Sequence, residues 1–290
     1  MAQIKSDDDL AAIAREFSNS GRWGADDQLG ALNYITPQKR ARAARLVRSG
    51  RSVSLARETA LNEGVDRGSH EVFRYPGGGS GDYIGLVFHG YRVTHIDALC
   101  HIFGGGMMYN GHSPDNITEG GAAKLSIDQL GPEGVVSRGV LLDVARAKGR
   151  SLEAGTPIFP ADLEEAERAQ DVAAGEGDIL LVRSGSKGAP DGSQESGLHA
   201  DCLPWLHQRK VAVLGGDCAN DVLPNEFERW RLPIHIVGIA MMGLHLLDNA
   251  DLDPLAKACE EEGRWEFLLT IAPLRFKGAT GSPVNPLALF

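Results

Sequence analysis

Apolar positions change their period along the chain, and the change divides it into two halves. Asp8–Phe17 fits a short helix. Thr36-Pro37 opens a clearer one, with threonine as cap and proline in the first turn. Ala41, Ala44, Leu46 and Val47 then fall along one side, and Gly50 ends it. Ser52–Arg57, Tyr83–His89 and Thr94–Leu99 read as strands. Residues 61–82 are loop-like and end in Pro76-Gly-Gly-Gly-Ser-Gly81; they are expected to form a flexible lid. Gly104-Gly-Gly106 and the run to Asn116 are expected to be a second mobile loop.

From Ser137 onward, short apolar strands alternate with helices. Strands are predicted at Val140–Val144, Ile179–Arg183, Val211–Leu214 and Phe267–Ile271. Helices are predicted at Pro160–Gln170, Ala200–Gln208 and Asp253–Cys259, and Ile234–Leu247 is a long apolar stretch. This alternation implies an α/β architecture. With no internal repeat, low-complexity tract or linker, one domain over residues 1–290 is expected, with an N-terminal arm over about residues 1–50.

Charge narrows the choice of partner. A net charge of −10 and a pI near 5.4 disfavour nucleic acid and anionic membrane surfaces. The start shows no secretory pattern and no apolar run reaches membrane-span length, so a cytoplasmic protein is expected. Cys100, Cys202, Cys218 and Cys259 are scattered without a CxxC pair, as reduced thiols would be.

The candidate chemistry is concentrated in Val87–Phe103, which holds His89, His95, Asp97 and His101. His95 and Asp97 are two apart, so on a strand both leave the same face. Imidazole beside carboxylate suits a borderline divalent metal. His101 joins that face if the chain makes a helical turn after Asp97. Fully extended, His89 and His101 would stand roughly 40 Å apart, so the segment must bend, and Gly90 is the place. A lone H-x-D is more often an ordinary core feature; flanking histidines in an apolar context favour coordination.

Further acid and imidazole candidates are His199, Asp217, Asp221, His235, His245 and Asp248. His235 reads as either core histidine or ligand, while spacing alone favours a turn or capping role for Asp248. Trp23, in a turn-rich segment, is either a structural pin or a pocket wall; Tyr91 and His199 join it as candidate substrate contacts. Cys100, between candidate ligands, reads as either a cysteine nucleophile or a small buried hydrophobe, with the second favoured. The chain has no G-x-S-x-G elbow, P-loop, dinucleotide fingerprint or H-E-x-x-H helix.

Thr94-His-Ile-Asp-Ala-Leu-Cys-His101 resembles the core of the H-x-G-T-H-x-D-x-P-x-H motif of the metal-dependent cyclase family, which includes bacterial kynurenine formamidase and isatin hydrolase. Arg22-Trp-Gly-Ala-Asp-Asp-Gln-Leu-Gly-Ala-Leu-Asn33 and Thr280-Gly-Ser-Pro-Val-Asn-Pro286 are similar to flanking segments of that family. The resemblance implies a swivelling β/β/α domain with mixed sheets and peripheral helices. By matching position, it makes His95 and Asp97 metal ligands, His101 the proton shuttle, and His235 and Asp248 ligands of a second ion. Tyr91, Val93 and Leu99 stand where the motif has histidine, glycine and proline. His89 takes the first ligand position if two residues are inserted at the bend.

The resemblance, with this ligand chemistry, implies a hydrolase that uses Mn2+ or Zn2+ and an activated water to cleave a C–N bond in a small cyclic or aromatic amide, formamide or lactam. A lactonase or dehydrating cyclase and a non-catalytic metal-stabilised binding protein are the alternatives. The resemblance also implies a homodimer or homotetramer.

Overall fold

The computed structural model describes residues 3–59, 61, 68–189 and 191–290. A nine-stranded mixed sheet organises them. Its strands, in chain order, are β1 (Ser52–Ser54), β4 (His95–Asp97), β5 (Val135–Asp143), β6 (Ile179–Arg183), β7 (Val213–Gly216), β8 (His245–Asp248), β9 (Glu266–Ile271), β10 (Gly281–Pro283) and β11 (Leu287–Leu289). Two strands outside it, β2 (Gly68–Arg74) and β3 (Ser80–Leu86), pair only with each other. The sheet order is β1-β11-β9-β5-β6-β7-β8-β4-β10.

The four central strands, β5 to β8, are parallel, and every other pairing within the nine-stranded sheet is antiparallel. Their apolar runs are continuous because both faces are covered: Val140, Leu141 and Leu142 of β5 and Ile179, Leu180 and Leu181 of β6 are fully buried. The principal helices are α1 (Asp7–Glu16), α2 (Pro37–Ala44), α3 (Pro160–Gln170), α4 (Cys202–Arg209) and α5 (Asp253–Glu262). The Thr36 hydroxyl accepts from Lys39 N–H to cap α2, as its sequence implies. No helix among the described residues is long and apolar enough to cross a membrane.

Strand direction reverses between β8 and β4. Ligand sites in α/β sheets form beyond the carboxyl ends of parallel strands, near such reversals. Asp248 ends β8 and lies opposite His95, the first residue of β4. The loop after β7, residues 217–221, emerges at the same end.

Two expectations about loops are corrected. Gly68–Arg74 and Ser80–Leu86, the latter overlapping the strand expected at Tyr83–His89, form an antiparallel hairpin, and the glycine cluster is its turn; residues 62–67 lie outside the described residues. Neither face of the hairpin is packed on the core, so its strands lack the apolar alternation that marks a half-buried strand. Phe73 and Tyr75 meet edge to face at 5.4 Å and cover Gly81. Residues 104–116 are also anchored, not loose. Met108 and Tyr109 are buried, and the Tyr109 hydroxyl donates to Asp27 at 3.0 Å. The long apolar stretch Ile234–Leu247 divides into a helical segment through Met241, a turn, and β8.

Candidate metal centre

His95 and Asp97 occupy one face of β4, while Ile96 between them points to the other and is fully buried. A turn then closes with His101 N–H bonded to the Ala98 carbonyl. It brings His101 Nε2 to 4.0 Å from Asp97 Oδ1. The segment does bend at Gly90. Asn249 Nδ2 donates to the carbonyls of Gly90 (2.8 Å) and Val93 (3.1 Å), fastening the bend to the residue after β8. His89 thereby returns to the cluster, its Nδ1 3.1 Å from Asp97 Oδ1.

Two overlapping groups of possible ligands share Asp97. His89, His95 and Asp97 form one, and Asp97, His235 and Asp248 the other. His95 Nε2 lies 3.5 Å from Asp97 Oδ1 and 3.8 Å from Asp248 Oδ2. His235 Nε2 lies 3.6 Å from Asp97 Oδ2 and 3.2 Å from Asp248 Oδ2. The rings are oriented from behind. His95 Nδ1–H donates to the Val93 carbonyl at 2.8 Å, His235 Nδ1–H to Asp221 at 2.6 Å, and His89 Nε2 meets the Thr280 hydroxyl at 3.1 Å. Each pairing leaves the other ring nitrogen facing the carboxylates, which is the arrangement that orients metal-binding imidazoles.

Asp97 supplies the test of fit. It is wholly buried, yet neither carboxylate oxygen has a hydrogen-bond partner among the described residues. Buried polar atoms are nearly always paired, so two orphan oxygens on one carboxylate need an explanation. Asp221 and Asp248 are buried close by, and among the described residues imidazoles are the only basic side chains paired with the three. Such a set of N and O donors suits a divalent cation.

The titration directions agree with that charge arrangement. Burial works to raise the Asp97 carboxyl, but the imidazoles of His101, His89, His95 and His235 outweigh it and hold it well below the usual range. Burial would lower His235, but Asp248 and Asp221 prevail and raise it well above its ordinary value. The groups that draw a proton to His235 Nε2 would equally draw a cation. Burial, only partly offset by Asp97, pushes His101 down to about 4.

His101 and His89 are the partly exposed members of the cluster; the other histidines and both aspartates of the two groups are buried. Their rings stack 3.8 Å apart and 7° from parallel. Phe88 packs against His89 and His95, with centroids at 4.5 and 5.9 Å.

The remaining candidates are engaged elsewhere. Trp23 meets Tyr34 edge-on at 5.1 Å, with the Arg22 guanidinium over both rings. The Tyr91 ring lies against Gly192. His199 bonds Glu226 at 2.6 Å between Phe159 and Phe227. Cys100 is buried and burial pushes its thiol up to about 12, in keeping with a packing role.

Sequence reasoning gave no role at the site to Asn220, Asn249, Thr280 or Gly281, the last two being noted only as part of a family-like segment. Asn220 donates to Asp248 Oδ1 at 2.6 Å. A Cβ at Gly281 would stand 2.7 Å from His89 Cε1, so glycine there makes room for the ring.

A family model described as "Putative cyclase" matches residues 61–220. The chain belongs to the cyclase family. A crystal structure of a novel cyclase, 34% identical, superposes with a TM-score of 0.85 over 94% of this chain and 99% of that one. Isatin hydrolase A from Labrenzia aggregata, bound to benzyl benzoate, is 19% identical with a TM-score of 0.59, covering 82% of this chain and 93% of its own. A predicted metal-dependent hydrolase from Bacillus stearothermophilus is 15% identical with a TM-score of 0.54, covering 83% and 98%. No curated protein matches the chain. The two more distant structures share the fold, and the mixed sheet agrees with the architecture implied by the sequence motif.

Proposed function

We propose that this cyclase-family protein is a metal-dependent hydrolase that cleaves a C–N bond in a small cyclic or aromatic amide, formamide or lactam. The observation that carries the reading is the orphaned Asp97 carboxylate, ringed by His89, His95, His101 and His235 with Asp248 alongside. His89, His95 and Asp97 would hold Mn2+ or Zn2+, and Asp97, His235 and Asp248 a second ion if one binds. When bound, a divalent ion supplies Lewis-acid polarisation and lowers the pKa of water beside it.

The protein's own contribution lies in proton transfer and exclusion of bulk water. His101, with its pKa depressed to about 4, is neutral at pH 7 and able to accept a proton. In amide hydrolysis it takes the proton of the attacking water and delivers it to the leaving nitrogen as the C–N bond breaks. The products are a carboxylic acid and an amine. Stacking on His89 fixes the imidazole plane, and Phe88 covers one side of the cluster. Isatin hydrolases and a metal-dependent hydrolase with the same fold support a hydrolytic reading.

The substrate contacts assigned to Trp23, Tyr91 and His199 belong to this proposal, as does a homodimer or homotetramer. Val72, Phe73, Tyr75, Tyr83 and Ile84 are exposed on the hairpin, an element of marginal stability alone, and a second copy of the chain would cover them. Metal analysis of the purified protein, with turnover assayed over formamides, lactams and lactones, tests the reading. Activity confined to lactones would overturn C–N cleavage.

A further inference from the structure

Behind the inner half of the cluster lies a loop that touches no candidate cation position directly. Asp221 is wholly buried and spends both oxygens on one short stretch. Its Oδ1 accepts from Ile234 N–H at 2.7 Å, while Oδ2 accepts from His235 N–H at 3.1 Å and His235 Nδ1–H at 2.6 Å. The carboxylate therefore fixes both the backbone entering the segment and the rotation of the ring it carries. The preceding residue braces the other side: Asn220 Nδ2 bonds Asp248 Oδ1 at 2.6 Å and the Leu247 carbonyl at 3.1 Å.

The loop itself is anchored along its length. Asp217 accepts from Ser184 N–H, the Ser184 hydroxyl and Gly185 N–H at 2.7 to 2.9 Å. Asn249 N–H donates to the Cys218 carbonyl, and Leu198 N–H to the Asn220 carbonyl at 2.7 Å. A glycine at 197 admits this close approach, because a Cβ there would meet the Asp221 backbone. An anchored loop whose adjacent residues grip His235 and Asp248 is suited to presenting both at a fixed separation.

We infer that Asp221 and Asn220 are positioning residues, which aim His235 Nε2 and Asp248 Oδ2 at Asp97 without contacting a cation themselves. This rests on the reading that the cluster binds a divalent ion. Outer hydrogen-bond partners of this kind change metal affinity about 10- to 100-fold.

The test uses the full chain with Zn2+ or Mn2+ alone and two readouts. Proton NMR of the metal-free protein should show a low-field, slowly exchanging Nδ1–H resonance that disappears in His235→Gln and in Asp221→Ala. Calorimetry should then show Zn2+ or Mn2+ affinity reduced about 10- to 100-fold in Asp221→Ala, less in the isosteric Asp221→Asn, and unchanged in His207→Ala, an imidazole on α4 that packs against Phe17 outside the cluster. An unaltered resonance and affinity in Asp221→Ala would overturn the inference. If Asp221→Ala does not fold, the wild-type resonance and the Asp221→Asn affinity decide: absence of the first, or wild-type strength in the second, also overturns it. Failure of the wild type to bind either metal would overturn the metal reading, while the resonance would still report whether Asp221 holds the ring.

Discussion

Gly281 and His89 occupy mutually exclusive space: a methyl group on residue 281 would lie 2.7 Å from His89 Cε1 and 2.8 Å from the Ile96 carbonyl. Thr280 bonds the same ring, so this short C-terminal segment builds the seat of His89. Gly281→Ala is therefore expected to push His89 away from Asp97. Metal titration should show at least a tenfold loss of affinity, and thermal unfolding a loss of about 1–3 kcal/mol from overpacking. Wild-type affinity in this variant would show that His89 is not a ligand.

His101→Ala separates proton transfer from coordination. The variant is expected to keep its metal and to lose about 10²–10⁴-fold in turnover. Loss of metal together with activity would instead make His101 a ligand. Metal content and kcat, measured on one preparation, distinguish the two.

Much of this chemistry was legible in the sequence because it depends on short-range geometry. His95 and Asp97 face one way since strand side chains alternate, and His101 returns to them through one turn. The strands of the second half stand out because they are continuously apolar. The hairpin's first strand, Gly68–Arg74, was hidden because both its faces are largely solvated, leaving no alternation to read. For Asp248, spacing alone favoured a turn or cap, and only the family resemblance offered it as a ligand. Its role comes from lying opposite His95 across the β8–β4 pairing, a long-range relationship that local spacing does not encode. Asn249 and Gly281 are obscure for the same reason, each acting on a part of the chain more than 150 residues away.

Glu195 should give stability a distinct pH dependence. Burial raises its carboxyl to about 7, against hydrogen bonds from Cys218 and Ala219 and the field of Arg57. The folded state thus favours the protonated form. Its contribution is fully present below the unfolded pKa near 4.5 and is lost as pH rises toward about 7. Glu195→Gln removes that titration. Its stability relative to wild type should therefore improve by about 2–3 kcal/mol between pH 4.5 and 8. Chemical denaturation across this range checks it; a parallel pair of curves would refute it.

The exposed hairpin predicts self-association. Light scattering should give a mass at a multiple of 31.0 kDa. Replacing Val72, Tyr83 and Ile84 with serine should shift the protein toward monomer while preserving its far-ultraviolet circular dichroism. A monomeric wild type would refute the assembly.

The most direct test is metal content after Asp97→Asn. Asp97 belongs to both ligand groups, and its two oxygens are unpaired in the buried cluster. Wild-type protein exchanged into Zn2+ or Mn2+ and freed of excess should retain about one or two ions per chain by elemental analysis, whereas folded Asp97→Asn should retain essentially none. Equal retention by both proteins, or none by the wild type, would contradict a metal centre built on Asp97.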